Sequence, residues 1–335
     1  VTVRIVGGGW YGCHLALALK RRGIDVELHE AAGELFSGAS GANPARLHRG
    51  FHYPRSRLTR AACLDHADAF MAAYGPLTRA IPLNLYCVAA EESLVDFGTY
   101  RDTMRSSGAE FLTAEDPAAY GLQGVEGALL TGERHVVIDE ARAFFAGELE
   151  GVASFHRRAD DLDDPAYELT VDCTFCALDA EAVDRYEPCM TVLMEGPTDR
   201  AVTIMDGPFP SIYPWKEAEG LVSLTSARFT PLSKTCRTFA DAQRVASDAC
   251  YDPATLGGRA VEMLDQIGAY WPAALDLFRI ADIRVAVRAM PKSGADARLV
   301  DVVRVGQRSM RVRAGKIDAV FRAEALILEA MGCKL

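Results

Sequence analysis

Val3-Arg-Ile-Val-Gly-Gly-Gly-Trp-Tyr-Gly-Cys-His-Leu-Ala-Leu-Ala-Leu19 reads as a buried strand, a glycine turn and an amphipathic helix. Gly7, Gly9 and Gly12 have the spacing of a dinucleotide-binding fingerprint. In that pattern the first glycine permits the tight turn, the second lets the backbone approach a pyrophosphate, and the third lets helix pack on strand. The helix N-terminus then offers free N–H groups and a positive dipole end to the phosphates. A second strand follows, Asp25-Val-Glu-Leu-His-Glu30, and Glu30 ends it where an acid is placed to take ribose hydroxyls. Trp10 and Tyr11 fill the variable positions, and their bulk predicts packing against the sheet or the cofactor edge. A plain βαβ unit without a ligand leaves the three glycines unexplained, since glycine weakens a helix.

The next segment, Ala31 to Pro44, is rich in small and turn-forming residues and reads as a loop. From Leu35 to Leu64 there is no Asp or Glu, while Arg46, Arg49, Arg55, Arg57, Arg60, His48 and His52 all stand there. This basic island is either a solvated positive face or a site for phosphates and an anionic substrate.

The glycine fingerprint, Glu30, the small-residue loop and Leu47-His-Arg-Gly-Phe-His-Tyr-Pro54 together resemble the FAD-dependent D-amino-acid-oxidase superfamily. The spacing of His48, Gly50, Tyr53 and Pro54 is most similar to the L-2-hydroxyglutarate dehydrogenase branch, with a fainter likeness to FAD-linked glycerol-3-phosphate dehydrogenase. The resemblance implies an α/β fold: a discontinuous Rossmann-like FAD-binding domain (1–80, 133–186 and 290–335) and an antiparallel-sheet α+β substrate domain (81–132 and 187–289). It implies FAD as cofactor, touched by Ser37, Gly38, Ser40 and Asn43 at the phosphates or flavin. Arg46, Leu47 and His48 would pass the ring or substrate, and Thr174 would end a strand beside the nucleotide half. At the C-terminus, Gly315, Lys316 and Ile317 replace the family's glycine-rich turn near the flavin's pyrimidine end. Lys316 there is either a stabiliser of reduced flavin or a solvated lysine at a helix start. The implied reaction removes two electrons from a C–H beside an amine or hydroxyl, with hydride passing to flavin N5. His48 is then the expected base or substrate anchor, Arg288 the expected carboxylate clamp, and His52 and Tyr53 complete the pocket. An NAD-dependent dehydrogenase and a protein that keeps FAD without redox chemistry are the two rival readings.

Composition bounds the rest. The 335 residues are half hydrophobic, which suits two structural domains. A net charge of −10 argues against nucleic acid and anionic membrane surfaces. No apolar run reaches membrane-spanning length. The first strand starts at residue 1 or 2, so no signal peptide is expected. Nine scattered cysteines fit a reducing cytoplasm, and none stands at zinc-ligand spacing, so no metal is expected. Cys173-Thr-Phe-Cys176 reads as a buried structural pair rather than a redox site. Asp206 to Trp215, with its prolines and aromatics, reads as a stiff apolar loop between two strands that either roofs a ligand pocket or plugs the sheet end, with Tyr213 and Trp215 as its best aromatic candidates. The partner is a small-molecule substrate; the sequence leaves the oligomeric state open.

Overall fold

The computed structural model describes residues 2–292 and 299–333. The expected segment 290–335 therefore includes residues 293–298 and 334–335, which lie outside the described residues. Two large sheets form. The first has six strands in the spatial order Asp301–Arg304, Ser309–Arg313, Leu169–Asp172, Thr2–Val6, Asp25–His29 and Ala153–Ser154. All pairs are parallel except the Asp301–Arg304/Ser309–Arg313 hairpin. Thr2–Val6 is central. Val3 and Ile5 are fully buried, as a parallel strand covered on both faces requires. Helix Trp10–Arg21 packs on this sheet, and the last helix, Val320–Ala330, packs on Trp10–Arg21 through Val320, Ala323 and Ile327.

The second sheet has eight strands in the order Arg279–Pro291, Val183–Glu195, Leu221–Ser226, Pro210–Lys216, Arg200–Met205, Leu83–Ala89, Val125–Thr131 and Phe111–Ala114. It is antiparallel apart from the pairing of Arg200–Met205 with Leu83–Ala89. Helix Pro253–Tyr270 covers it with Leu256, Ala260, Met263 and Ile267. Pro253 opens this helix where its missing N–H costs nothing, and Asp252 caps it by accepting from the Thr255 N–H at 3.2 Å.

The stiff loop expected over Asp206–Trp215 is instead largely an interior strand, Pro210–Lys216. Prolines are normally kept from such strands because they cannot donate to the ladder. Here the ladder to Arg200–Met205 uses only Ser211 and Ile212, so Pro210 and Pro214 flank it, and a register shift after Pro214 absorbs the second. Helix Arg57–Tyr74 starts at Arg57, where Ser56 caps it by accepting from the Thr59 N–H at 3.4 Å. A three-stranded sheet, Arg46–Leu47, Arg134–Val136 and Thr78–Ala80, sets Arg46 opposite His135, so that the basic island and Glu133 share one end of the molecule.

Candidate active site

The glycine turn is built as its spacing requires. Gly7 has φ +105°, and a Cβ there would sit 2.9 Å from the Cys173 carbonyl oxygen. A Cβ on Gly12 would fall on the carbonyl of Gly7, so the helix packs directly against the turn. Gly9 faces the Ser40 hydroxyl, which accepts from the Trp10 N–H at 3.0 Å. The Glu30 carboxylate closes this cradle. It accepts from the Gly8 N–H at 2.6 Å and the Ala32 N–H at 2.7 Å, with the Ser37 hydroxyl at 3.5 Å. Oε2, which accepts only from Gly8, keeps a further lone pair for a ribose hydroxyl, and the long Ser37 contact on Oε1 leaves that oxygen able to exchange partners. A tight turn with no room for a Cβ, followed by a helix N-terminus and a nearly buried acid, fits the adenosine diphosphate half of FAD.

The other residues expected near the cofactor have the following surroundings within the protein. The Trp10 ring is buried among Phe36, Phe70, Tyr74 and Phe145, so its bulk fills the core and only its backbone reaches the cradle. Asn43 caps its own loop, donating to the Ala39 carbonyl and accepting from the Ala45 N–H, both at 2.7 Å. Leu47 is a buried core residue. Thr174 lies at the turn beside Gly7, with its hydroxyl and N–H on the Asp172 carboxylate at 2.7 and 2.9 Å. Ser37 and Gly38 are exposed, and Gly38 precedes the short helix Ala39–Ala42. Cys173 and Cys176 are both free thiols. Burial raises both thiol pKa values, Cys176 to about 11, which keeps them protonated.

Tyr11 links the two ends of the chain. Its hydroxyl donates to the Lys316 carbonyl at 2.5 Å and accepts from the Gly315 N–H at 3.2 Å. The turn before Ile317 is thereby fixed to the first helix. Lys316 Nζ then lies 4.1 Å from the centre of the Tyr53 ring, within cation–π range. Tyr53 in turn packs edge-on against His48 at 5.6 Å and His52 at 5.3 Å. Burial, then the charges of Lys316, His52 and Arg46, hold His48 well below the usual histidine range, so its ring is neutral at pH 7. Its Nδ1 faces Glu133 Oε2 at 3.9 Å.

The basic island divides. Arg55 pairs with Asp206 at 2.6 Å, Arg49 with Asp68 at 3.7 Å, and Arg57 is exposed. Arg60 is buried and donates to the carbonyls of Tyr53 and Pro54 and to Ser107. Only Arg46 turns inward. It donates to Thr203 Oγ1 at 3.0 Å and to the Ser211 hydroxyl, and it stacks 4.2 Å from the centre of the Tyr213 ring. Among the described residues no carboxylate bonds to it. Arg288 is held by Glu187 on the neighbouring strand, at 2.5 Å, with Arg185 on the same carboxylate. It is thus ion-paired outside the cluster around Arg46.

Three polar contributors escaped the sequence reading. Glu133 is 1 % exposed and accepts from the Arg49 N–H at 2.6 Å and the Tyr86 hydroxyl at 2.5 Å. Burial raises its pKa against these bonds. Thr203 and Ser211 are the hydroxyls on Arg46. None carries a local signal, because each lies on a strand or strand end that only the tertiary fold brings to the loop.

Residues 2–164 match the family described as FAD dependent oxidoreductase, DAO. A protein named FAD-dependent monooxygenase FPY4, from Fusarium mangiferae, is 38% identical over 340 residues, covering 98% of this chain and 90% of that protein. FAD-dependent monooxygenase kojA from Aspergillus flavus is 29% identical, over 89% of this chain and 78% of that protein. The crystal structure of glycine oxidase from Geobacillus kaustophilus superposes with a TM-score of 0.73 at 16% identity, covering 99% of this chain and 95% of that one. L-amino acid deaminase from Proteus vulgaris gives 0.70 at 13% identity, over 99% and 94%. With the fold, the cradle and these relatives in agreement, the NAD-dependent reading is set aside: the chain belongs to the FAD-dependent oxidoreductases of the DAO family.

Proposed function

We propose that the chain oxidises a C–N or C–O bond of a small anionic substrate, with Arg46 as the anchor of the anion. The observation that carries this is the buried guanidinium of Arg46, which has two hydroxyls and an aromatic face as partners and no bonded carboxylate among the described residues. A buried cation left so is costly. A substrate carboxylate taken through paired charge-assisted bonds supplies the missing charge.

FAD, when bound, supplies the two-electron acceptor. Glu30 would hold its ribose hydroxyls, and the backbone from Gly7 to Gly12 with Ser40 would face its pyrophosphate. Gly315, Lys316 and Ile317, fixed by Tyr11, would border the ring. His48 is the candidate base. With Nδ1 turned to Glu133, its Nε2 would take the proton from the substrate amine or hydroxyl. Tyr53 and His52 would shape the wall beside it and exclude water. Arg288 is not assigned to substrate, because Glu187 already satisfies its charge.

The test is anaerobic mixing of the FAD-loaded protein with amino acids, N-alkyl amino acids, hydroxy acids and their methyl esters, followed by flavin absorbance. Bleaching by an acid and not by its ester is expected. Equal bleaching by both removes Arg46 as the anchor, and bleaching by none refutes the reading.

A second reading, insertion of oxygen, draws on the names of the relatives, which are monooxygenases. Incorporation of label from ¹⁸O₂ into product would favour it over simple dehydrogenation.

A further inference from the structure

Asp318 stands in the short turn Ile317–Ala319 that leads into the last helix. It is 1 % exposed, and no side chain donates a hydrogen bond to either carboxyl oxygen; only the nearby backbone N–H groups of Asp318 and Ala319 favour its charged form. A buried carboxylate without a side-chain partner needs a reason. Ionisable groups face it from each packed element. Lys316 is on its own segment. Cys63 and His66, from helix Arg57–Tyr74, line a small cavity with Lys316 and Asp318. Glu133 and Tyr11 also act on it electrostatically, and Arg46 and His48 lie beyond Lys316.

Most of these groups are fixed near pH 7. Burial raises the Cys63 thiol and the Tyr11 hydroxyl and lowers His66 and His48, so all four stay neutral. Glu133 is engaged by Tyr86 and Arg49. Lys316 and Asp318 differ. Burial pulls Lys316 down to about 7, against the attraction of Asp318. Burial pushes Asp318 up to about 7, against the attraction of Lys316. A small change in nearby charge then decides whether this pair carries one proton or two.

We propose that Asp318 is a positioning residue of the FAD site which, acting through Lys316, takes one proton from solvent when the bound cofactor is reduced and returns it on reoxidation. The reductant supplies two electrons and one proton to the ring, which becomes one charge more negative. The pair begins with one proton, as ammonium and carboxylate. It ends with two, as ammonium and carboxylic acid, one O–H bond having formed at Asp318. The added negative charge favours this second proton. The proposal rests on the ring lying against Gly315–Ile317.

Potentiometric titration of the FAD-loaded protein between about pH 6 and 8 tests it without any substrate, so failure of the substrate reading leaves this result untouched. Above about pH 7, where Asp318 starts ionised, the wild type should take up two protons per two electrons, a hundredfold change in the reduction equilibrium per pH unit, or about 60 mV. Asp318→Asn should take up one, a tenfold change, or about 30 mV. Equal slopes overturn the proposal. Should the variant fail to fold, infrared difference spectra of the wild type on electrode reduction decide the matter. A carboxylic-acid C=O band should appear and shift with ¹³C-carboxyl aspartate and not with labelled glutamate. No band, or a band that moves with glutamate and so reports Glu133, overturns it.

Discussion

Arg46→Met removes the charge and keeps most of the stem's volume. In the intact site the guanidinium is clamped by Thr203, Ser211 and the Tyr213 ring, so it meets a substrate carboxylate with little left to order. A hydrogen bond to a charged group is worth about 1.5–3 kcal/mol. Because the two bonds of a bidentate pair are not independent, the loss should be about 2–4 kcal/mol, or roughly 30- to 1000-fold in kcat/KM. The fold itself should not suffer. Thr203 and Ser211 already hydrogen-bond each other at 3.0 Å, and a buried unpaired cation is removed, so Tm should hold or rise. The assay is a double-mutant cycle on the rate of anaerobic flavin reduction, crossing acid and methyl ester with wild type and Arg46→Met. The ester should be poor on the wild type and no worse than the acid on the variant. An ester penalty of the same size on both proteins refutes Arg46 as the anion's partner. Arg46→Lys should recover only part of the loss, since a point charge cannot span two hydroxyls and stack on a ring as a planar fork does.

Other outcomes follow from single contacts. Glu30→Ala should weaken FAD binding by about 10- to 150-fold, read by fluorescence titration of the apoprotein; unchanged affinity would mean that Glu30 does not meet the ribose. Gly12→Ala puts a methyl on the Gly7 carbonyl and should lower stability by about 1–3 kcal/mol with loss of FAD retention, measured by thermal melts with and without FAD. As a base His48 must be neutral, and its pKa is lowered in the folded protein. The rate of flavin reduction should therefore be insensitive to His48 above about pH 6.5 and fall only as pH drops further through the lowered value. His48→Gln should abolish that acid limb, and a limb that persists assigns it to another group.

The parallel half of the fold was legible in the sequence because its signals are local. Gly7, Gly12 and Glu30 are fixed by a turn and two strands within thirty residues of chain, and the positions expected for them are the ones observed. The antiparallel half was less legible. Pro210–Lys216 carries two prolines and so reads as a loop, and only the shortness of its ladder to Arg200–Met205 explains how it lies inside a sheet. The basic island misled for a related reason. Composition counts charges but not directions, and four of its five arginines are turned to Asp68, Asp206, backbone carbonyls or solvent. Arg288 was expected to clamp a carboxylate, yet on its strand it meets Glu187, a hundred residues away in sequence, which satisfies it. Glu133, Thr203 and Ser211 had no signal because their roles exist only once separate strands meet.

The four ionisable side chains that converge in the interior, Arg46, Lys316, Glu133 and Asp318, come from three separate stretches and carry two charges of each sign when fully ionised. A site balanced in this way suits a neutral oxidised ring. An anionic substrate upsets the balance by one charge, and the geometry of Arg46 answers it directly. Reduction of the ring upsets it by another, and no second free cation stands among these four, because Lys316 is already set against Asp318. Relief by protonating an acid is then the remaining electrostatic route. Glu133 is the poorer acceptor, since the Arg49 N–H and the Tyr86 hydroxyl stabilise its charged form. Asp318, with no side-chain donor on either oxygen and its pKa already raised by burial, gives up less on taking a proton. The same reasoning predicts a division of labour: Arg46 should govern which substrates bind, and Asp318 should govern how the potential of the bound FAD varies with pH. Asp318→Asn should therefore leave the acid-over-ester preference intact while changing the slope, and Arg46→Met should do the reverse. A variant that moved both readouts together would show that the four charges act as one inseparable cluster.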